Sequence, residues 1–265
     1  MSKTIGIQTD DEIVAALEAL PRPVVAFAND YPAGHTIARH RHIRAQLLYA
    51  AAGVMRVATD RGVWVVPPQR AVWIPAGIEH EIGCAGVVRM RTLYVDPAAI
   101  PGLPEACRVV DVPPLLRELI LKAVALPSLY DLHGADARLM RVILDQIETL
   151  DIAPLHLPVP AHPRLAPILA ALLAHPEDGT DLDAWGRRVG ASGRTLARLF
   201  VAETGMTFGA WRQQARLLAA LTRLAAGDPV TTVALDLGYD SLSAFIAMFR
   251  RATGTTPGRY FEARR

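Results

Sequence analysis

The chain has 265 residues, with 28 Lys+Arg against 26 Asp+Glu and a formal net charge of +2. It is 51% hydrophobic and 20% charged, which excludes a disordered or fibrous chain and allows about two domains. No apolar run reaches the ~18 residues of a membrane helix, and the acidic N-terminus MSKTIGIQTDDEIV lacks the apolar centre of a signal peptide. A cytoplasmic protein without a membrane partner is expected.

Cys84 and Cys107 are the only cysteines, and both are expected to be free, buried thiols. The charge is uneven along the chain. Residues 1–160 hold 15 Lys+Arg against 17 Asp+Glu, whereas residues 161–265 hold 13 against 9. A basic C-terminal third points to a polyanion partner. Only Lys3 and Lys122 are lysines, so arginine carries nearly all of the positive charge.

From residue 24 to about 95, short β-forming runs recur: 24–27, 46–49, 54–57, 63–66, 72–74 and 87–91. Gly34, Gly53, Gly62, Pro67, Pro68, Pro75, Gly77 and Gly86 punctuate them at expected turns. That rhythm predicts an antiparallel barrel or sandwich. Tyr49, Met55, Trp64 and Trp73 are expected in its core. Helical spacing then begins. Leu115, Leu116, Leu119, Ile120 and Val124 make one stripe, and Leu139, Ile143, Ile147 and Leu150 another. These stripes predict either a dimer face or packing on the barrel. The proline-rich run at 154–163 predicts a stiff, extended link between domains.

The remainder reads as helical and carries two similar signals. In the first, Asp181 is placed to cap a helix with Leu182, Trp185 and Val189 inward; Gly190 makes a turn and Ser192 caps a second helix. In the second, Val233, Ala234 and Leu237 face inward, Gly238 turns, and Ser241 caps a helix bearing Phe245, Met248 and Phe249. Both are helix-turn-helix patterns. A long helix from Phe208 to Ala226 separates them, with Trp211, Ala215, Leu218 and Leu221 as its core stripe.

These residues resemble the DNA-binding domain of AraC/XylS-type transcriptional regulators over 161–262. Ala234, Gly238, Tyr239, Ser241, Ser243, Phe245, Phe249, Gly254, Pro257 and Tyr260 fall on the family pattern, as do Arg216, Leu217 and Ala220 in the linking helix. The resemblance implies that each second helix enters a major groove, about one helical turn apart. Ser192, Gly193, Arg194, Thr195, Ala197 and Arg198 are then expected to project in the first motif. Arg194 and Arg198 are the expected base readers, since arginine grips guanine O6 and N7. In the second, Leu242, Ser243, Ala244, Ile246 and Ala247 project. Ala247 stands where many relatives have arginine, so Leu242, Ala244 and Ile246 are expected on thymine methyls. Arg250, Arg251 and Arg259 are expected on phosphates.

The β-rich part has its own pattern. Gly34, His40-x-His42, Gln46 and Gly53 resemble the first cupin motif, with Gln46 in place of the usual glutamate. Pro75 to His80 resembles the second, with His80 at the metal-ligand position. If His40, His42 and Gln46 lie on one continuous strand they share a face. With His80 they could hold a divalent transition metal such as Zn, Fe, Mn, Ni or Cu. Alternatively they line a pocket for an organic effector, or the histidines are structural. His35, His133, His156, His162 and His175 are expected at the surface or in loops.

The fold class expected is therefore multi-domain: a cupin-like antiparallel β-barrel at 1–105, a helical linker or dimerisation segment at 106–160, and an all-α double helix-turn-helix domain at 161–265. The function expected is a sequence-specific transcriptional regulator, not an enzyme. It binds double-stranded DNA and responds to a small molecule or metal. A homodimer and contact with RNA polymerase are expected. The alternatives are a cupin metalloenzyme of dioxygenase or isomerase type, and a DNA-binding protein whose barrel only dimerises.

Overall fold

A computed structural model describes residues 10–99 and 103–262. The expectation of no leader peptide, together with Lys3, falls on residues outside this range. After a short helix, α1 (Asp10–Glu18), the β-formers assemble into β1 (Val24–Tyr31), β2 (Thr36–His40), β3 (Ala45–Thr59), β4 (Gly62–Val66), β5 (Arg70–Ile74), β6 (His80–Val95) and β7 (Arg108–Asp111). All pairings are antiparallel, in the order β1-β6-β3-β5-β7, with β2 on β6 and β4 on β3.

Two of the strands are much longer than expected. The runs at 46–49 and 54–57 belong to the single strand β3, and the run at 87–91 lies within β6. Gly53 and Gly86 are therefore not turn residues. They take positive φ (74° and 70°) inside the strands, and the β3–β6 register shifts beside Gly53. A Cβ on Gly53 would lie 2.4 Å from the Val87 carbonyl oxygen. A bulge there bends both long strands, so each serves both halves of the rolled sheet.

The sheet has two buried faces, and side-chain alternation assigns residues to them. Leu47, Tyr49, Trp73, Leu93 and Val95 meet Leu116, Ile120, Met140, Ile143 and Ile147 of α2 (Pro114–Ala123) and α3 (Ala135–Glu148). The two leucine-rich stripes thus have a partner, the sheet itself, and are not a free dimer face. Leu115 and Val142 remain outward, 56% and 41% exposed. Gln46, Leu48, Ile74, Ile82 and Met90 alternate with the first set and face the barrel interior, where Met55 and Trp64 also pack.

The proline-rich link is more than a spacer. Just before it the chain forms β8 (Ile152–Ala153), paired with β7, and the link itself contributes β9 (His156–Pro158), paired with β4. Proline is tolerated because these are edge strands whose outer side needs no amide hydrogen. Then follow α4 (Ala166–Ala174), α5 (Leu182–Val189), α6 (Gly193–Thr204), α7 (Phe208–Ala225), α8 (Val230–Asp236), α9 (Leu242–Thr253) and α10 (Pro257–Glu262). The long helix α7 carries the core of this part through Trp211, Leu218 and Leu221, and it also lies against the sheet. Trp211 Nε1 donates to the Pro158 carbonyl at 2.8 Å, and Gln214 Nε2 donates to that of Pro154 at 2.6 Å. No helix among the described residues is long and apolar enough to cross a membrane.

Candidate functional site

The histidine cluster is built from three separate pieces of chain. His40 closes β2, His42 sits in the connector to β3, Gln46 is the second residue of β3, and His80 opens β6. The expected continuous strand through His40, His42 and Gln46 does not form, because the chain leaves the sheet after His40. Cross-strand pairing does the work instead, since His40 is the register partner of His80. Each of the three histidines offers one ring nitrogen, and these lie within 4.8 Å of one another. His40 Nε2 and His42 Nε2 are 3.2 Å apart. Ring centroids are 4.4 Å apart for His40–His80 and 5.1 Å for His42–His80.

Gln46 joins the cluster through Tyr94, its cross-strand partner. Its amide donates to the Tyr94 hydroxyl at 3.3 Å, and the Tyr94 ring stands edge-on to His42 at 5.0 Å. The Gln46 carbonyl oxygen is buried and has no partner.

Burial decides the charge state. It pushes the His42 pKa down to about 3, helped by His80 and His40, and the His80 pKa down to about 4. Both rings are therefore neutral at pH 7, and the 4.0 Å approach of Glu18 to His42 Nδ1 is not an ion pair. His40 Nδ1 donates to the Ala38 carbonyl at 2.7 Å and His80 Nδ1 to that of Ile78 at 2.9 Å. Those bonds orient the rings and leave lone pairs at Nε2, the arrangement a metal-ligating histidine needs. His80 Nε2 is buried without a partner. Zn–N distances of about 2.0–2.1 Å put ligand nitrogens ~3.3 Å apart around a tetrahedral ion, close to the His40–His42 spacing. The donor set fits a borderline transition ion such as Zn, Fe, Ni or Mn better than a hard cation, because it contains no carboxylate.

A cleft of ≈ 420 Å³ opens beside the cluster, lined by Trp64, Ile78, Glu79, Glu105, Cys107 and His156 among others. His156 is not the surface residue expected. It stacks on Trp64 at 4.6 Å, and burial lowers its pKa. Neither Cys84 nor Cys107 forms a disulfide; Cys84 is buried as expected, Cys107 only half-buried, and burial pushes the Cys107 thiol up to about 11. The thiol is thus protonated and a poor nucleophile. Sequence reasoning missed Glu18, Tyr94 and the Trp64–His156 pair. Each reaches the site through tertiary pairing, which no local motif records.

In the helical part, the capping expectations are met by geometry. Asp181, Ser192 and Ser241 accept from Ala184 N, Thr195 N and Ala244 N. Gly190 and Gly238 take left-handed backbone, φ 66° and 75°, at the two turns. Arg194, Arg198, Leu242, Ser243, Arg250 and Arg251 are exposed on α6 and α9. The guanidinium groups of Arg194, Arg198 and Arg250 have no hydrogen-bond or ion-pair partner among the described residues. Four of the residues expected to project are engaged within the fold. Gly193 is buried against Asp183, Ile246 is half-buried against the core, and the Ser192 and Thr195 hydroxyls bond one another at 2.9 Å. Arg216 of α7 ties the turn of the second motif to the loop between α4 and α5. It donates to the Pro176 and Glu177 carbonyls and lies over the Tyr239 ring at 5.6 Å.

Residues 22–175, more than half of the chain, match the model of the AraC-like ligand binding domain, and residues 185–263 match a helix-turn-helix domain. The chain belongs to the AraC family of transcriptional regulators. Among its curated relatives, the HTH-type transcriptional regulator NimR of Escherichia coli is 38% identical over 221 residues, covering 83% of this chain and 81% of NimR. The regulatory protein SoxS of Escherichia coli is 33% identical over 94 residues, 35% of this chain and 88% of SoxS. A crystal structure of the DNA-binding domain of AdpA with a target DNA is 31% identical, covering 38% of this chain and 93% of that one, with a TM-score of 0.36. As an AraC-family regulator the protein binds DNA through its helix-turn-helix domain and carries a ligand-binding domain. The reading as a cupin metalloenzyme is set aside by that membership.

Proposed function

We propose that this AraC-family protein is a cytoplasmic, metal-responsive regulator whose barrel senses a divalent transition ion at His40, His42 and His80. Gln46 supplies the candidate fourth donor. The observation that carries the reading is the convergence of three imidazoles, two of them oriented by main-chain carbonyls. Rings held that way, with ring nitrogens left unpartnered, resemble a ligand set more than a structural cluster, which would satisfy its own nitrogens. A bound ion would supply the positive charge that the buried cluster lacks.

The DNA-facing residues we propose are Arg194 and Arg198 for base edges, with Leu242, Ser243 and Ile246 as apolar or short polar contacts. Arg250 and Arg251 serve phosphates. Ser192 and Thr195 shape the start of α6 and bring its first turn to the groove. The outward Leu115 and Val142 support a homodimer through α2 and α3.

The Trp64–His156 cleft favours a second reading, an organic effector beside or instead of the ion. Its aromatic floor suits a flat molecule, and Glu79 and Glu105 suit a cationic group on it. Elemental analysis of protein purified without chelator or a nickel column separates the two. The metal reading expects close to one ion per chain, lost in a His40→Ala/His42→Ala variant. Metal-free protein that takes up no added ion points to the organic effector.

A further inference from the structure

His42 differs from its two neighbours. His40 and His80 each give the Nδ1 hydrogen to a main-chain carbonyl. A carbonyl only accepts, so both rings carry hydrogen at Nδ1 and a lone pair at Nε2. His40 Nε2 faces His42 Nε2 at 3.2 Å. Two lone pairs at that distance repel, so His42 must supply the hydrogen from its own Nε2. Its Nδ1 is then a bare acceptor. It is buried, has no hydrogen-bond partner, and lies 4.0 Å from a carboxylate oxygen of Glu18. Acceptor facing acceptor makes no bond, which accounts for an orphaned nitrogen beside a carboxylate.

Glu18 is held in that place. It is the last residue of α1, and its carboxylate accepts from Ile43 N, next to His42. Leu17 packs with Val25 and Tyr94. The buried Arg44 donates to the carbonyls of Leu20 and Arg22, both at 2.7 Å, and fixes the chain that leaves α1.

We infer that filling the histidine site with a divalent cation moves the His42 hydrogen from Nε2 to Nδ1 and turns the Glu18 contact into a hydrogen bond. The cation takes the Nε2 lone pair. One hydrogen leaves Nε2 to water and one enters at Nδ1 from water, so the ring stays neutral and no net proton is exchanged. Nδ1–H then faces a carboxylate, and the gap has to close by about 1 Å, from 4.0 Å to the ~2.8 Å of a charge-assisted hydrogen bond. Glu18 thereby becomes the outer partner that the carbonyls of Ala38 and Ile78 already are for the other two rings. It is a positioning residue, and it carries occupancy of the site to α1. The inference rests on the metal reading above.

The test follows the His42 tautomer by long-range imidazole ¹H–¹⁵N correlation in full-length protein, before and after one equivalent of Zn²⁺. Zn²⁺ affinity is measured in parallel by dye competition for wild type, Glu18→Gln and Glu18→Ala. The expected result is Nε2–H without zinc and Nδ1–H with it. Glu18→Ala should bind Zn²⁺ roughly 10–100-fold more weakly, the range for loss of an outer-shell partner, and Glu18→Gln should fall between. A His42 that is already Nδ1–H without zinc, or an unchanged affinity in Glu18→Ala, overturns the inference and leaves the metal reading standing. Failure of wild type to take up Zn²⁺ overturns the metal reading and the inference with it. If Glu18→Ala does not fold, the wild-type tautomer and Glu18→Gln decide.

Discussion

Trp211 and Pro158 join the two halves of the molecule: the indole Nε1 of the linking helix donates to the carbonyl of an edge strand of the barrel at 2.8 Å. Gln214, one turn further along the same helix, donates to the carbonyls on either side of Leu155, those of Pro154 and His156. The other side of that strand carries the His156 ring into the cleft beside the histidine cluster, stacked on Trp64. A strand of three residues therefore has the Trp64–His156 cleft on one side and the DNA-binding domain on the other. Any effector that shifts His156 must strain or relax the bonds to α7.

Trp211→Phe is expected to destabilise the protein by about 1–3 kcal/mol, since it leaves the Pro158 carbonyl without its donor. Gln214→Ala should cost about 1 kcal/mol and loosen β9 from the helix. Chemical denaturation gives the stability change. Hydrogen exchange at residues 154–158 gives the local one, and an unaltered exchange rate in both variants would show that α7 does not hold the strand.

On DNA, Arg198→Ala should lose discrimination between a matched and a scrambled site, whereas Arg250→Ala should weaken both alike and flatten the salt dependence. A bidentate arginine–guanine contact is worth about 1–3 kcal/mol of discrimination. Anisotropy titrations on both duplexes at two salt concentrations measure this. Equal losses on matched and scrambled DNA for Arg198→Ala would remove it from the base-reading set.

The metal-free protein should lose stability on acidification from pH 6.5 downward. His42 and His80 titrate at about 3 and 4 in the fold because burial disfavours their charged forms, and at about 6.5 when unfolded. Between those values the unfolded chain binds more protons, so stability falls as pH falls, by about 1.4 kcal/mol per residue for each pH step. The contribution is complete above pH 6.5. Melting curves from pH 7 to 5 with chelator present check the slope, which His80→Ala should reduce in the variant that still folds.

Gly53→Ala should cost at least ~2 kcal/mol. Its φ of 74° is unfavourable for any side chain, and the added Cβ would lie 2.4 Å from the Val87 carbonyl oxygen, which is main chain and cannot swing away. A thermal melt within a degree of wild type would show that the strands can re-register around it.

The DNA-binding half was legible because its signals are local. Caps at Asp181, Ser192 and Ser241, glycines at the two turns and apolar stripes at helical spacing all act within a few residues. The barrel was legible as a class but not in detail. Gly53 and Gly86 carry the residue type of a turn yet serve as bulges inside β3 and β6, and periodicity cannot separate the two uses. The prolines at 154, 158 and 160 suggested only a stiff link between domains, although an edge strand needs few amide hydrogens and tolerates them. His40, His42 and His80 were readable from motif spacing. Glu18 was not, because it reaches His42 only through the packing of α1 on β1 and β6.

The most direct measurement of the central claim is DNA affinity with and without metal. A duplex selected from a random library by the wild-type protein would be titrated by anisotropy in chelator and again with one equivalent of Zn²⁺ per chain. An effector shifts an equilibrium only by its differential affinity for the two states, so a working sensor predicts at least a ~10-fold difference, about 1.4 kcal/mol. His40→Ala/His42→Ala should bind the duplex with one affinity under both conditions. Equal affinity of the wild-type protein in chelator and in Zn²⁺ would contradict the account.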